Sequence, residues 1–194
     1  MVEKIISIPV DDGIEFEITG MEHIREDDDY DNFRISLIAN IGKTKNPMKI
    51  DITTGDPITP REIEYKYPCI FSKEDIKVLA YPLETILAEK YESIIKRNIT
   101  STRMRDFYDI YALFRLKERE IDFDILRTAI IRTATKRDSL EILKDSEELL
   151  SDIRNDSYLR NLWAVYIDKN KYIGDLEFDK TLEVISILSE KVRL

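Results

Sequence analysis

The hydrophobic period changes once along this chain, from two residues to about 3.6, and that change constrains the fold more than any other feature. Ile14, Phe16 and Ile18 alternate with Glu15, Glu17 and Thr19. Phe33, Ile35, Leu37, Ala39 and Ile41 alternate with Arg34, Ser36 and Asn40, with Ile38 the apolar exception. Met48, Ile50 and Ile52 alternate with Lys49, Asp51 and Thr53. Such runs predict an antiparallel meander covered on one side. Ile6, Ile8 and Val10 read as an earlier strand, with Asp12-Gly13 as the hairpin signal joining it to the next.

Turn signals then cluster at Gly55-Asp56-Pro57, Pro60 and Pro68, so that 55–70 reads as a connector. Beyond it the pattern is helical. Ser72-Lys73-Glu74-Asp75 fits a capping box opening a short helix. Pro82 suits the first turn of a helix running to about Arg97, and Thr102 a cap for another reaching about Lys117. Asp122 or Asp124, Ser139 and Asp179 can start three later helices, while Trp163–Tyr172 is ambiguous. The class is therefore α+β, a small antiparallel (mixed) sheet followed by a helical bundle. The division falls between a sheet region, 1–70, and a bundle region, 71–194.

Several functions are excluded by composition. The 30 Lys+Arg against 39 Asp+Glu give a formal charge of −9, which opposes a broadly basic nucleic-acid surface. One Cys (Cys69) rules out an internal disulfide framework, and one His (His23) rules out a site needing two histidines or a Ser/Cys–His triad near the helices. No run approaches the ~20 apolar residues of a membrane span, and no charged-then-apolar leader opens the chain. A cytoplasmic protein is expected. The run Glu26-Asp27-Asp28-Asp29-Tyr30-Asp31 reads as a solvated loop rather than a metal site.

Charge in the wrong place marks the helices. On the helix from Leu83, a wheel groups Leu83, Ile86, Leu87, Tyr91 and Ile94 on one arc, with Glu84, Ala88, Glu89, Glu92 and Lys96 opposite. Lys90 and Arg97 fall inside the apolar arc, where a desolvated cation needs a partner. The following helix is apolar on nearly all sides yet carries Arg105, Asp106 and Asp109 in its first turns, the two aspartates sharing a face. Two readings stand side by side: a structural ion-pair network, or a polar cleft in which Lys90 and Arg97 meet substrate phosphate or carboxylate. Asp51, on the polar face of the last strand with Lys49 and Thr53, is either solvated or a candidate Mg²⁺ ligand.

Taken together, Lys49-Ile50-Asp51-Ile52 with Gly55-Asp56, Tyr81 through Lys90, Arg97, and Arg105-Asp106-Phe107-Tyr108-Asp109-Ile110-Tyr111 resemble the AbiEii/AbiGii-type nucleotidyltransferase toxins of bacterial phage-defence and toxin–antitoxin systems. These belong to the DNA-polymerase-β-like nucleotidyltransferases. The resemblance is densest over 48–116. It implies transfer of a nucleotidyl group from an NTP, with Mg²⁺, to an acceptor that is RNA in some members, and pairing with an antitoxin protein. It implies catalytic roles for Asp51, Lys90 and Asp109, with Asp51 the metal ligand. Lys90, Arg97, Arg105 and Asp106 would bind the nucleotide. The family's Gly-Ser turn and following Asp-x-Asp strand have no counterpart in residues 1–47, so 1–70 reads as a partial nucleotidyltransferase-like sheet region. The expectation is a chain that begins after that carboxylate pair, is catalytically incomplete, and exposes a sheet edge suited to homodimerisation. A non-catalytic interaction module of the same lineage is the alternative.

Overall fold

A computed structural model of the chain describes residues 2–24, 32–70 and 73–193. Two compact units emerge, Met1–Asp56 and Pro57–Leu194.

The first unit begins with helix α1 (Val2–Ile6), followed by strands β1 (Ile14–His23), β2 (Phe33–Ile41) and β3 (Thr44–Ile52). The strands pair antiparallel in the order β1-β2-β3, the expected meander. Leu37 lies between Ile18 and Met48, and Ile35 between Met21 and Ile50. This register stacks the apolar alternation onto one face, and Ile35, Leu37 and Ala39 are buried. A bulge between Ile18 and Gly20 shifts the β1 register by one residue.

The earlier strand expected at Ile6–Val10 does not form. Ser7 closes α1 by bonding back to the carbonyls of Glu3 and Lys4, and Ile8 and Val10 are exposed. Pro9 also lacks the ladder donor a strand would need. Asp12-Gly13 still makes a turn, with Gly13 at φ +70° and the Asp12 carboxylate accepting from the Ile14 N–H at 2.9 Å. It leads into β1 without joining two strands. The acidic run 26–31 lies outside the described residues.

The second unit opens with a two-stranded antiparallel ribbon, β4 (Ile63–Tyr67) and β5 (Ile76–Ala80). Residues 63–67 were expected to be connector. Ser72 lies outside the described residues, and the short helix expected after it is replaced by β5. Local capping chemistry loses here to cross-strand pairing, since the β-branched Ile76 and Val78 sit opposite Tyr67 and Tyr65.

The bundle consists of α2 (Leu83–Arg97), α3 (Met104–Lys117), α4 (Phe123–Lys136), α5 (Leu140–Lys144), α6 (Ser146–Asn155), α7 (Ser157–Lys169) and α8 (Phe178–Val192). Pro82 is the N-cap of α2, one residue earlier than the first-turn position. Arg103, not Thr102, precedes α3. Asp122 caps α4 by accepting from the Asp124 and Ile125 N–H groups at 3.0 Å. The ambiguous Trp163–Tyr172 stretch contributes most of the second half of α7 and a 3₁₀ turn at Lys171–Ile173.

α2 is the central element, packed against both α3 and α4. Its arc Leu87, Tyr91 and Ile94 joins Phe107, Ile110, Leu126, Ile130, Leu182 and Ile185 in one core. Most of the opposite arc is sheltered as well, because α4 packs on it: Glu84, Ala88 and Glu92 are buried and Glu89 partly so, while Lys96 is exposed. Glu84 accepts from the Asp122 N–H at 3.0 Å, tying the start of α2 to the start of α4. Glu92, 2% exposed, accepts from Arg137 at 2.9 Å and from the Ser139 hydroxyl at 2.7 Å. The wheel gives the direction in which each side chain points but not how many neighbours lie that way.

Candidate functional site

The contact between α2 and α3 brings Lys90 against the first turns of α3. Its ammonium lies 2.7 Å from Asp109 Oδ2 and 3.0 Å from Asp106 Oδ1. Asp106 and Asp109 share a face because they are three residues apart on a helix. Asp106, in the first turn of α3, also gains from the helix macrodipole, by about 0.3–1 kcal/mol. Arg105, four residues before Asp109, approaches it at 3.6 Å from a largely exposed position.

The side chains of Lys90, Asp106 and Asp109 are 21%, 14% and 22% exposed, so the cluster is half-sheltered rather than sealed. Burial pulls the Lys90 pKa down, but hydrogen bonds to Asp109 and Asp106 and their two charges outweigh it, and the net shift is upward. The ammonium is therefore a permanent charge held at a fixed point. Lys90 with two carboxylates sums to −1, and Arg105 at the rim brings the group to neutrality.

Tyrosines border the cluster on its α7 side. The Tyr166 hydroxyl is buried, and its pKa is raised by that burial, by the neighbouring Tyr172 phenol and by the Asp109 charge, with Arg105 opposing. Tyr108 and Tyr172 meet edge to face at 5.7 Å between ring centroids. Sequence reasoning missed Tyr166 and Tyr172, which sit in the stretch where no clear period was visible. The group formed by buried Glu92 and Ser139 with the partly exposed Arg137 was also missed. Its only signal was a Glu on a helix that proved to be covered on both sides.

Arg97 does not join Lys90. It is exposed in the last turn of α2, where its Nε donates to the Ser93 hydroxyl at 3.3 Å. Seven residues amount to about 10 Å of helix rise, which carries Arg97 past the carboxylates that hold Lys90. Asp51 belongs to the other unit. There Arg34 of β2 grips it bidentately, at 2.7 and 2.9 Å, and Arg34 also faces Glu22 of β1 at 3.8 Å. These pairs follow from the register, which aligns Glu22, Arg34 and Asp51 across the three strands. His23 packs on Phe33 at 4.4 Å, as a sheet residue would.

A two-metal site needs several carboxylates converging on ions about 3.5–4 Å apart. Among the described residues, no three or more His, Cys, Asp or Glu side chains form a group able to hold a metal. Asp51 has both oxygens engaged by a guanidinium, and Asp106 and Asp109 share an ammonium. The described residues do not fit a two-Mg²⁺ centre.

The family model described as nucleotidyl transferase AbiEii toxin, type IV toxin–antitoxin system, matches residues 1–184. This chain belongs to the AbiEii nucleotidyltransferase toxin family. The match extends well beyond 48–116, where the AbiEii resemblance is densest, and takes in the α1–β3 meander and most of the bundle. No curated protein matches the chain. Among solved structures, a crystal structure described as a "putative nucleotidyltransferase from H. pylori" superposes over 94% of this chain and 68% of its own, at 17% identity and a TM-score of 0.42. In this AbiEii member no helix among the described residues is long and apolar enough to cross a membrane.

Proposed function

We infer that this AbiEii-family chain is the toxin component of a toxin–antitoxin or phage-defence pair, acting in the cytoplasm. It takes the phosphates of an NTP at the Lys90 cluster. The observation that carries this reading is an ammonium fixed between two helices, kept charged by two aspartates, partly open to water and flanked by the exposed Arg105. A triphosphate arriving there can draw on Lys90 and Arg105 as donors, because ammonium and guanidinium groups both hydrogen-bond phosphate oxygens.

Nucleotidyl transfer to an acceptor such as RNA is the family's chemistry, and it generally uses Mg²⁺. The described residues do not fit two metal ions, so in this reading they bind the nucleotide without making bonds, and Asp51 stays paired with Arg34. Transfer by this protein requires carboxylates other than the groups described.

Titration calorimetry with each of the four NTPs, with and without Mg²⁺, tests the binding. At least one NTP should give heat, and Lys90→Met should weaken it by about tenfold or more, equivalent to about 1.4 kcal/mol. Lys117→Met, on the exposed end of α3, should leave it unchanged. Silence with all four nucleotides would end the NTP reading.

A second reading is favoured by the engagement of Asp51 and Asp109 in ion pairs together with the −9 formal charge. In it the chain is a non-catalytic module whose acidic surface docks a basic antitoxin. Co-purification with the product of the adjacent open reading frame, lost in high salt, is its expected signature.

A further inference from the structure

The ribbon β4–β5 presents one apolar face, formed by Ile63, Tyr65 and Tyr67 with Ile76 and Val78, and all five of these side chains are exposed. A two-stranded ribbon is marginal on its own and gains stability from added strands. Every residue of β4 is exposed, and among the described residues its outer edge pairs with no strand. An edge of this kind is a template for another chain.

Its sequence determines which chain fits. β4 reads Ile63-Glu64-Tyr65-Lys66-Tyr67, with opposite charges placed symmetrically about Tyr65. If a second β4 lies antiparallel with Tyr65 opposite Tyr65, Glu64 of each copy faces Lys66 of the other and Ile63 faces Tyr67. Both are favourable cross-strand combinations, and each occurs twice about a two-fold axis. The outer strand β5 has no such symmetry, since centring it on Val78 sets Lys77 against Leu79. We propose that β4 pairs with β4 of a second copy of this chain, making a four-stranded sheet with one continuous apolar face. This inference is independent of nucleotide binding.

Lys66→Glu isolates the contact. Within the ribbon it should be harmless or helpful, because Lys66 sits directly opposite Lys77. Across the two-fold axis it sets the introduced carboxylate against Glu64 twice. Sedimentation velocity from about 5 to about 200 µM should show a monomer–dimer equilibrium for the wild type. Lys66→Glu should weaken it by about tenfold or more. The charge-reversed double variant Glu64→Lys/Lys66→Glu recreates both pairs and should restore dimerisation. Far-ultraviolet circular dichroism of each variant checks that the fold is retained. A wild type that stays monomeric throughout would assign the ribbon to a different protein and overturn the proposal. So would a dimer indifferent to Lys66→Glu, or a double variant that fails to recover.

Discussion

Lys90 of α2 donates to Asp109 of α3 at 2.7 Å while keeping Asp106 at 3.0 Å, so one ammonium is shared by two carboxylates one helical turn apart. The arrangement is redundant. Losing either aspartate leaves the cation one partner, and losing both leaves it none in a half-sheltered place.

That redundancy predicts non-additivity. Asp109→Ala alone should destabilise by about 1–2 kcal/mol, since Asp106 and some water remain. Asp106→Ala with Asp109→Ala should together cost about 3–5 kcal/mol, more than the sum of the singles, as an uncompensated cation is stranded. Urea melts over the full mutant cycle measure this. Strict additivity would mean the two carboxylates act independently.

Alkaline pH should weaken the same contact. The folded pKa of Lys90 lies above its ordinary 10.5, so its contribution is complete below that value and is lost as pH rises through the folded pKa. Tyr166, raised above 10.0, acts in the same direction, because the unfolded chain ionises the phenol first. From about pH 10 upward, unfolding free energy should fall more steeply in wild type than in Lys90→Met, and below that the two curves should run parallel. Curves that stay parallel throughout would show that the ion network adds nothing measurable.

Arg137→Met should be among the most damaging single changes. It leaves the Glu92 carboxylate, 2% exposed, with only the Ser139 hydroxyl, at a cost of about 3–5 kcal/mol. Urea denaturation of wild type and variant measures the loss, and a value under about 1 kcal/mol would contradict the burial argument.

Arg97→Ala, in contrast, should change stability by no more than about 0.5 kcal/mol, as expected for an exposed side chain with one long hydrogen bond. If Arg97 nonetheless belongs to the nucleotide site, as the family resemblance implies, calorimetry will show weaker NTP binding in a variant whose melt is unchanged.

Much of this was legible in the letters. The alternation around Leu37 specified the meander and its one covered side, because alternate side chains point to opposite faces of a strand. The 3.6-residue period placed α2 and α3 almost to the residue, and the aspartates three apart announced a partner for Lys90. What the sequence could not give was what lies beside each face at each height. Arg97 shares the direction of Lys90 but lies beyond the carboxylates. Glu92 points away from the apolar arc yet is buried, because α4 arrives from a distant part of the chain. Asp51 carries the letters of a metal ligand, but strand pairing hands it to Arg34. Tyr166 reaches Asp109 only because α7 folds back on α3. Periodicity is a local property set by backbone geometry, whereas solvation and ion pairing depend on neighbours far away in sequence, and only the folded chain brings them together.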